Sequence, residues 1–312
     1  MYSVLITGGC GFIGRHFAKK MTDLKYNVTI VDNLSSTSSL IPDKWPKHLI
    51  CDFDFIECDI LDYLNHTNKK FNLIIHTAAI VGGREIIEND PLLISKNINI
   101  DNELFRWIER NSCDNLIYFS SSAAYPIRLQ TFETHRKLEL SDIDIINDNI
   151  SIPDLTYGWT KLTGEFMLSI LSKRINTNIS IYRPFSGYGE DQHDSYPFTS
   201  IIKKILNNSD EIEIWSDAVR DFVYIDDIIE FVLNTCYHTN KIKVFNIGTG
   251  IATSMSELAH IILQQTNKEK KIKILDNKPK GVYYRVCLDN TNFIWTKLES
   301  GIKKILEYYK LE

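Results

Sequence analysis

The chain has 312 residues, 44% of them hydrophobic and 24% charged, a balance typical of folded globular proteins and unlike that of disordered chains. Lys and Arg number 35 against 40 Asp and Glu, a formal charge of -5, which excludes the basic surface that nucleic-acid backbones demand. No run approaches the roughly 18 apolar residues of a membrane span, and the start, MYSVLITGGCGFIG, has no basic leader, so no membrane partner and a cytoplasmic location are expected. Cys10, Cys51, Cys58, Cys113, Cys236 and Cys287 are scattered without C-x-x-C spacing, so neither a metal site nor a disulfide framework is expected.

The apolar run 3–7 is followed by glycines, a helical pattern over 12–21 and a β-branched run over 27–32, which together read as a βαβ unit. Further buried strands are expected at 53–57, 73–76, 115–120 and 179–183, with helices over 93–110 and 157–172. This alternation predicts an α/β fold, a Rossmann-type doubly wound parallel sheet with ligands at the carboxyl ends of its strands. Past Arg183 the elements shorten, and a smaller C-terminal α/β substrate lobe is expected. The reading is a dinucleotide-binding domain over 1–185, rejoined by 220–249, and a substrate-binding lobe made mainly of 186–312. The stretch from Tyr125 to Pro153 lacks strand periodicity and is long for a connection, which favours a functional loop near the chemistry.

Between the first strand and helix lies Thr7-Gly8-Gly9-Cys10-Gly11-Phe12-Ile13-Gly14, a match to G-x-G-x-x-G through Gly9, Gly11 and Gly14 and to the wider G-x-x-G-x-x-G through Gly8, Gly11 and Gly14. Glycines here let the backbone turn sharply, approach a pyrophosphate without a Cβ, and aim the helix N–H groups at phosphate. Asp32-Asn33 closes the second strand, where a carboxylate accepts hydrogen bonds from ribose hydroxyls and repels a 2′-phosphate. The expected cofactor is therefore NAD. Asp59-Ile60 follows the third strand and suits either the adenine amino group or a helix cap.

Tyr157 and Lys161 stand four apart on the helix over 157–172, so they share a face. A lysine charge and an oxidised nicotinamide both favour the phenolate, making Tyr157 a base for a sugar hydroxyl, while Lys161 can also hold the nicotinamide ribose. Ser120-Ser121-Ser122 ends another strand and offers hydroxyls to the same substrate oxygen. A Ser, Tyr and Lys set serves hydride transfer.

With these motifs stand His76-Thr77-Ala78-Ala79, Asn97, Arg183-Pro184-Phe185, the run from Arg220 to Asp227, and Phe245-Asn246-Ile247-Gly248. Over nearly its whole length the chain thus resembles an extended short-chain dehydrogenase/reductase of the NAD-dependent epimerase/dehydratase family, most of whose members act on nucleotide-diphosphate sugars. The resemblance implies that Ala78, Ala79 and Asn97 border the cofactor and that Arg220 and Arg285 hold the substrate diphosphate. It also implies a homodimer formed through the helices over 93–110 and 157–172. Counting back four from Tyr125, as the family pattern does, makes Ser121 the catalytic hydroxyl; counting along the triple serine gives Ser122, kept as second choice and as a substrate contact. Ser186 replaces the asparagine that the family usually places against the sugar. His76 reads as a hydrogen-bonded strand end, and Trp159 and Trp215 as packing residues, with Trp215 also placed to touch the base.

Sugar dehydratases of this family carry Asp-Glu where this chain has Ser122-Ala123, which disfavours dehydration. Local similarity to GDP-fucose synthase runs through Ala78-Ala79-Ile80-Val81-Gly82-Gly83, Ser121 to Pro126, and Trp215 to Asp227. That enzyme's catalytic Cys falls at Ala123, and its NADP preference opposes Asp32. A nucleotide-sugar 4-epimerase is the favoured reading. A C4 dehydrogenase or ketoreductase and a dehydratase stand as rivals, with a non-catalytic NAD-binding regulator as the alternative of another class.

Overall fold

The computed structural model describes residues 2–82, 84–145, 150–207, 209–238, 240–275 and 281–311. Its centre is a seven-stranded, wholly parallel sheet. The first six strands in chain order are β1 (Ser3–Thr7), β2 (Asn27–Asp32), β3 (Asp54–Glu57), β4 (Leu73–His76), β5 (Asn115–Phe119) and β6 (Asn178–Pro184), and Ile242–Ile247 adds the seventh beside β6. β1 lies between β2 and β4, so the strand order reverses there. The carboxyl ends of β1 and β4 thus form the crevice where such sheets bind ligands.

Both faces of the sheet are covered, which is why its strands read as continuous Val/Ile/Leu runs. Along β1, Val4 and Ile6 join one core and Leu5 the other, the two-residue alternation of a strand. Helices α1 (Phe12–Asp23), α2 (Ile60–His66), α3 (Arg84–Asn89), α4 (Pro91–Ser95), α5 (Asn97–Asn111) and α6 (Leu155–Leu171) connect these strands. On the second face Leu104 and Trp107 of α5 and Leu168 of α6 meet Leu116 and Ile181. The first core continues into α7 (Pro197–Leu206), α8 (Ile225–Thr235), α9 (Met255–Thr266) and α10 (Leu298–Leu311) through Ile202, Ile228, Leu258 and Ile302.

The C-terminal region also carries three small sheets. Phe222–Tyr224 pairs with Ser186–Tyr188, Glu211–Ile214 pairs with Lys271–Ile274, and Val219–Arg220 sits between Thr253–Ser254 and Tyr284–Arg285.

Two expectations need correction. The helix over 93–110 is two helices, α4 and α5, meeting at a turn on Lys96; the apolar period runs on because Ile94 and Leu104 both face inward across the turn. The described residues of the long stretch from Tyr125 to Pro153, expected near the chemistry, do not line the cleft but back its wall: Leu129, Leu138 and Ile143 form an apolar cluster with Tyr125, Phe185 and Cys287. The Leu138 amide donates to the Val286 carbonyl at 2.8 Å. Positions 146–149 of that stretch, and Gly83 of the motif after β4, lie outside the described residues.

Candidate active site

A cleft of about 1060 Å3 opens along the carboxyl ends of the strands, above the roughly 300–1,000 Å3 of pockets that take one small ligand. At one end is the β1–α1 turn. Gly8 has φ +68°, and a Cβ there would lie 2.6 Å from the Ala78 backbone; a Cβ on Gly14 would lie 2.4 Å from the Gly8 carbonyl oxygen. Both positions therefore exclude any larger residue. Gly11 precedes α1, whose N-terminus has no side-chain cap, and its Cβ position meets only the Gly8 oxygen at 3.2 Å, leaving a surface open to phosphate.

Gly8, Gly11, Phe12, Ile13 and Gly14 all line the cleft. Gly9 does not: a Cβ there would strike the Ile30 side chain at 2.3 Å, so this glycine lets the turn pack on β2. Asn97 also stands outside the cleft lining. It is buried, and its amide is used in both directions on Ile80, accepting from the backbone N at 2.7 Å and donating to the carbonyl at 3.0 Å. It shapes the segment after β4 instead of lining the cleft.

Asp32 and Asn33 reach the cleft with Asp59, Ile60, Ala78 and Ala79. One Asp32 oxygen accepts the Cys10 amide at 3.0 Å and the other the Leu34 amide at 2.8 Å. Burial raises the Asp32 pKa against these two bonds and one from Ser39, so the carboxylate both fastens the glycine turn and faces the cleft. Asp59 caps α2 through the Leu61 amide at 2.9 Å and also accepts from Asn33 Nδ2 at 3.1 Å. The glycine turn, the open helix N-terminus and this acid-lined edge together fit a dinucleotide.

At the middle of the cleft, α6 brings Tyr157 and Lys161 to the end of β5, where Ser121 and Ser122 begin a helical turn over Ser122–Ala124. Close approach is possible because residue 158 is glycine: a Cβ there would lie 2.3 Å from the Ala123 carbonyl. Ser121 faces the Tyr157 phenol and favours its ionised form, and it accepts the Ala123 amide at 3.0 Å. Ser122 is buried and also lines the cleft, yet the Tyr157 partner is Ser121. Lys161 is buried with its Nζ 5.1 Å from the Tyr118 ring centroid and 6.0 Å from that of Tyr157.

Burial pushes the Tyr157 phenol up, Tyr196 and Asp101 add to that, and the Ser121 bond opposes it. The expectation that a neighbouring lysine favours the phenolate is thus outweighed, in the chain alone, by desolvation. Burial likewise lowers Lys161, against Asp101 and Glu165.

At the far end, Ser186, Trp215, Arg220 and Arg285 line the cleft. Arg285 donates to Asp154 at 2.7 Å and to Gln130 at 2.6 Å. The Arg220 guanidinium bonds only to main-chain carbonyls, those of Val219, Val282 and Tyr283, among the described residues. Burial and the nearby Arg285 charge both disfavour its cationic form, a strain that an anion placed between them would relieve.

Several residues in the cleft carried no sequence signal. Arg84, at the start of α3, bonds Asp154 at 2.7 Å from the other side, and Tyr196, just before α7, faces Tyr157. The acid of an Asp154 three positions ahead of Tyr157 was visible, but its two arginine partners lie 70 and 131 positions away.

Sheet order, glycine turn and the Ser, Tyr and Lys cluster define a dinucleotide-dependent dehydrogenase-type site on a Rossmann fold. Residues 4–248 match the model of the NAD dependent epimerase/dehydratase family, and the chain belongs to that family of NAD-dependent enzymes. A putative UDP-glucose 4-epimerase of Methanocaldococcus jannaschii is 28% identical, covering 98% of each chain. The GDP-L-colitose synthase of Yersinia pseudotuberculosis is 28% identical over 83% of this chain and 90% of its own. Among solved structures, a UDP-glucose 4-epimerase of Thermotoga maritima superposes with a TM-score of 0.80 at 23% identity, covering 99% of this chain and 100% of that one.

Proposed function

We propose that this enzyme is a nucleotide-sugar 4-epimerase, with Tyr157 as acid and base, Ser121 fixing the reacting hydroxyl, and Lys161 holding the nicotinamide ribose. The observation that carries the reading is the meeting of Ser121, Tyr157 and Lys161 in the cleft with Ser122 and Ala123 beside them. At the two positions after Ser121, where a dehydratase carries its acid and base, the chain has Ser122 and Ala123. When bound, NAD takes up and returns the hydrogen of the sugar carbinol. Gly8, Gly11, Gly14, Asp32 and Asn33 would hold it, with Ala78 and Ala79 beneath.

In this reading the Tyr157 oxygen takes the C4 hydroxyl proton as the carbonyl forms and gives it back after the ketosugar presents its other face. Only interactions that strengthen as the carbonyl forms speed the step, and Ser121 is placed to make one. Arg220 and Arg285 are assigned to the diphosphate, which would displace Asp154 from Arg285. Ser186 and Ser122 are assigned to the sugar, and Trp215 to the base.

The unit built from 1–185 and 220–249 is assigned to NAD and the remainder of 186–312 mainly to the nucleotide sugar. The exposed stripe of Trp159, Phe166 and Ile170 on α6, each 44–49% exposed, supports a homodimer built on this helix and α5. Six free thiols suit a cytoplasmic enzyme, and no described helix is long and apolar enough to cross a membrane.

The test is a C4-deuterated nucleotide sugar. An epimerase returns an inverted product with the label still on C4 and needs no external oxidant or reductant. Accumulation of ketosugar with matching NADH identifies a C4 dehydrogenase instead, and loss of water identifies a dehydratase.

A further inference from the structure

Beneath Lys161 lies a set of buried ionisable groups that the chemistry above leaves unused. Thr7 Oγ1 bonds His76 Nδ1 at 2.6 Å, His76 Nε2 bonds one Asp101 oxygen at 3.0 Å, and the Tyr118 hydroxyl donates to the other at 2.6 Å. Thr7, His76, Asp101 and Tyr118 are each at most 1% exposed. The packing leaves no slack: a Cβ on Gly164 of α6 would lie 2.1 Å from the Tyr118 oxygen and 2.7 Å from Asp101 Oδ2. Lys161 sits over the Tyr118 ring.

The charges sort into pairs. Glu165, the other acid near Lys161, is matched by Arg183, which donates to it at 2.9 and 2.6 Å. Burial favours a neutral His76, and Lys161 adds to that against Asp101. Its Nδ1 then accepts from Thr7 while its Nε2–H donates to Asp101. The Tyr118 phenol is held protonated by burial and by Asp101. That leaves the Lys161 ammonium and the Asp101 carboxylate as the two buried charges without another opposite charge, and a buried ion is retained only where it is paired.

We propose that Asp101 is the positioning residue that keeps Lys161 charged: a carboxylate sealed under the cleft floor by His76 and Tyr118, touching neither cofactor nor substrate, and acting only through Lys161. The inference rests on the roles proposed above for Tyr157 and Lys161. Around Lys161 the facing groups are His76 from β4, Asp101 from α5, Tyr118 from β5, and Tyr157 and Glu165 from α6, the last bound to Arg183 of β6. Of these, Asp101 acts on both members of the pair, favouring the Lys161 charge and opposing the Tyr157 phenolate. Its removal therefore moves both titrations in one direction, down.

The experiment follows Lys161 by the 13Cε signal of lysine-labelled, NAD-loaded protein, assigned with Lys161→Met. In Asp101→Asn the Lys161 titration should fall by about 1 to 3 pH units, the range for loss of an opposite charge at close approach. The pH profile of turnover should shift downward with it. Tyr118→Phe removes one hydrogen bond and keeps the carboxylate, so Lys161 should titrate as in the unaltered protein. An unchanged titration in Asp101→Asn, or an equal shift in Tyr118→Phe, overturns the proposal. If Asp101→Asn does not fold, Asp101→Ser decides in its place: the same downward shift of the Lys161 titration is expected, and an unchanged titration overturns the proposal too. The epimerase reading fails separately, through a Tyr157→Phe variant that retains turnover while the Lys161 titration is unaffected.

Discussion

Tyr157 differs from Phe by one oxygen, and that oxygen is the only proton-transfer group proposed for the substrate. Tyr157→Phe keeps the ring that packs in the cleft wall, so NAD binding by calorimetry should be unchanged. Turnover should drop by about 100- to 10,000-fold, the usual contribution of a general acid or base. Asp32 carries a different kind of consequence. Asp32→Ala removes the charge that opposes a 2′-phosphate, so the ratio of NAD to NADP affinity should fall toward one. It also frees the Cys10 and Leu34 amides, so affinity for NAD itself should weaken. Equal affinities for the two cofactors in the unaltered protein would remove Asp32 from cofactor selection.

Helix α1 is tied to the loop after Ser186–Tyr188 by a buried clasp. Arg15 and His16, in its first turns, both pair with Asp191 in the loop after Ser186–Tyr188, and Arg15 also donates to the Asp191 and Cys10 carbonyls at 2.7 and 3.1 Å. Burial alone would raise the Asp191 pKa; His16 and Arg15 overcome it and hold the group at about 2. A folded-state value depressed from about 3.9 stabilises the fold by about 2–3 kcal/mol at neutral pH. The sign follows from linkage: the contribution is whole above about pH 4 and is lost as pH falls through about 2. Asp191→Asn leaves Arg15 buried without its carboxylate and should cost about 3–5 kcal/mol in urea unfolding at pH 7. That difference should shrink as pH falls from about 4 to 2. Legibility in the sequence also divides at this scale. β1, α1, β2 and the end of β5 were legible because each is a continuous run whose chemistry lies within a few residues. The clasp, the Arg84–Asp154–Arg285 bridge and the Asp101 network were not, because their members are carried by different elements and meet only after the sheet has formed. What Asn97 and Gly9 touch was not legible for a related reason: a motif fixes the residue type, while packing on Ile80 and Ile30 decides what the residue touches.

For the molecule as a whole, the apolar core fixes how the two halves behave. Val4, Ile6 and Ile30 of the sheet share one cluster with Ile202, Leu258 and Ile302 from the C-terminal helices, and Ile242–Ile247 returns to pair with β6. Arg84 of α3 and Arg285 of the C-terminal region both close on Asp154. Elements joined in this way cannot unfold separately without exposing a shared core, so a calorimetric scan of the NAD-loaded protein should give a single transition with matching calorimetric and van't Hoff enthalpies. A ligand that bridges the cleft then stabilises the entire chain. Nucleoside diphosphate at 100 times its dissociation constant should add about 2.7 kcal/mol and raise that one transition without splitting it. Arg220→Ala should remove most of this increment at the same nucleotide concentration, because affinity falls when the unpaired guanidinium is lost. Two separated transitions, with only the upper or lower one responding to nucleotide, would show instead that the halves fold independently and that the shared cluster does not couple them.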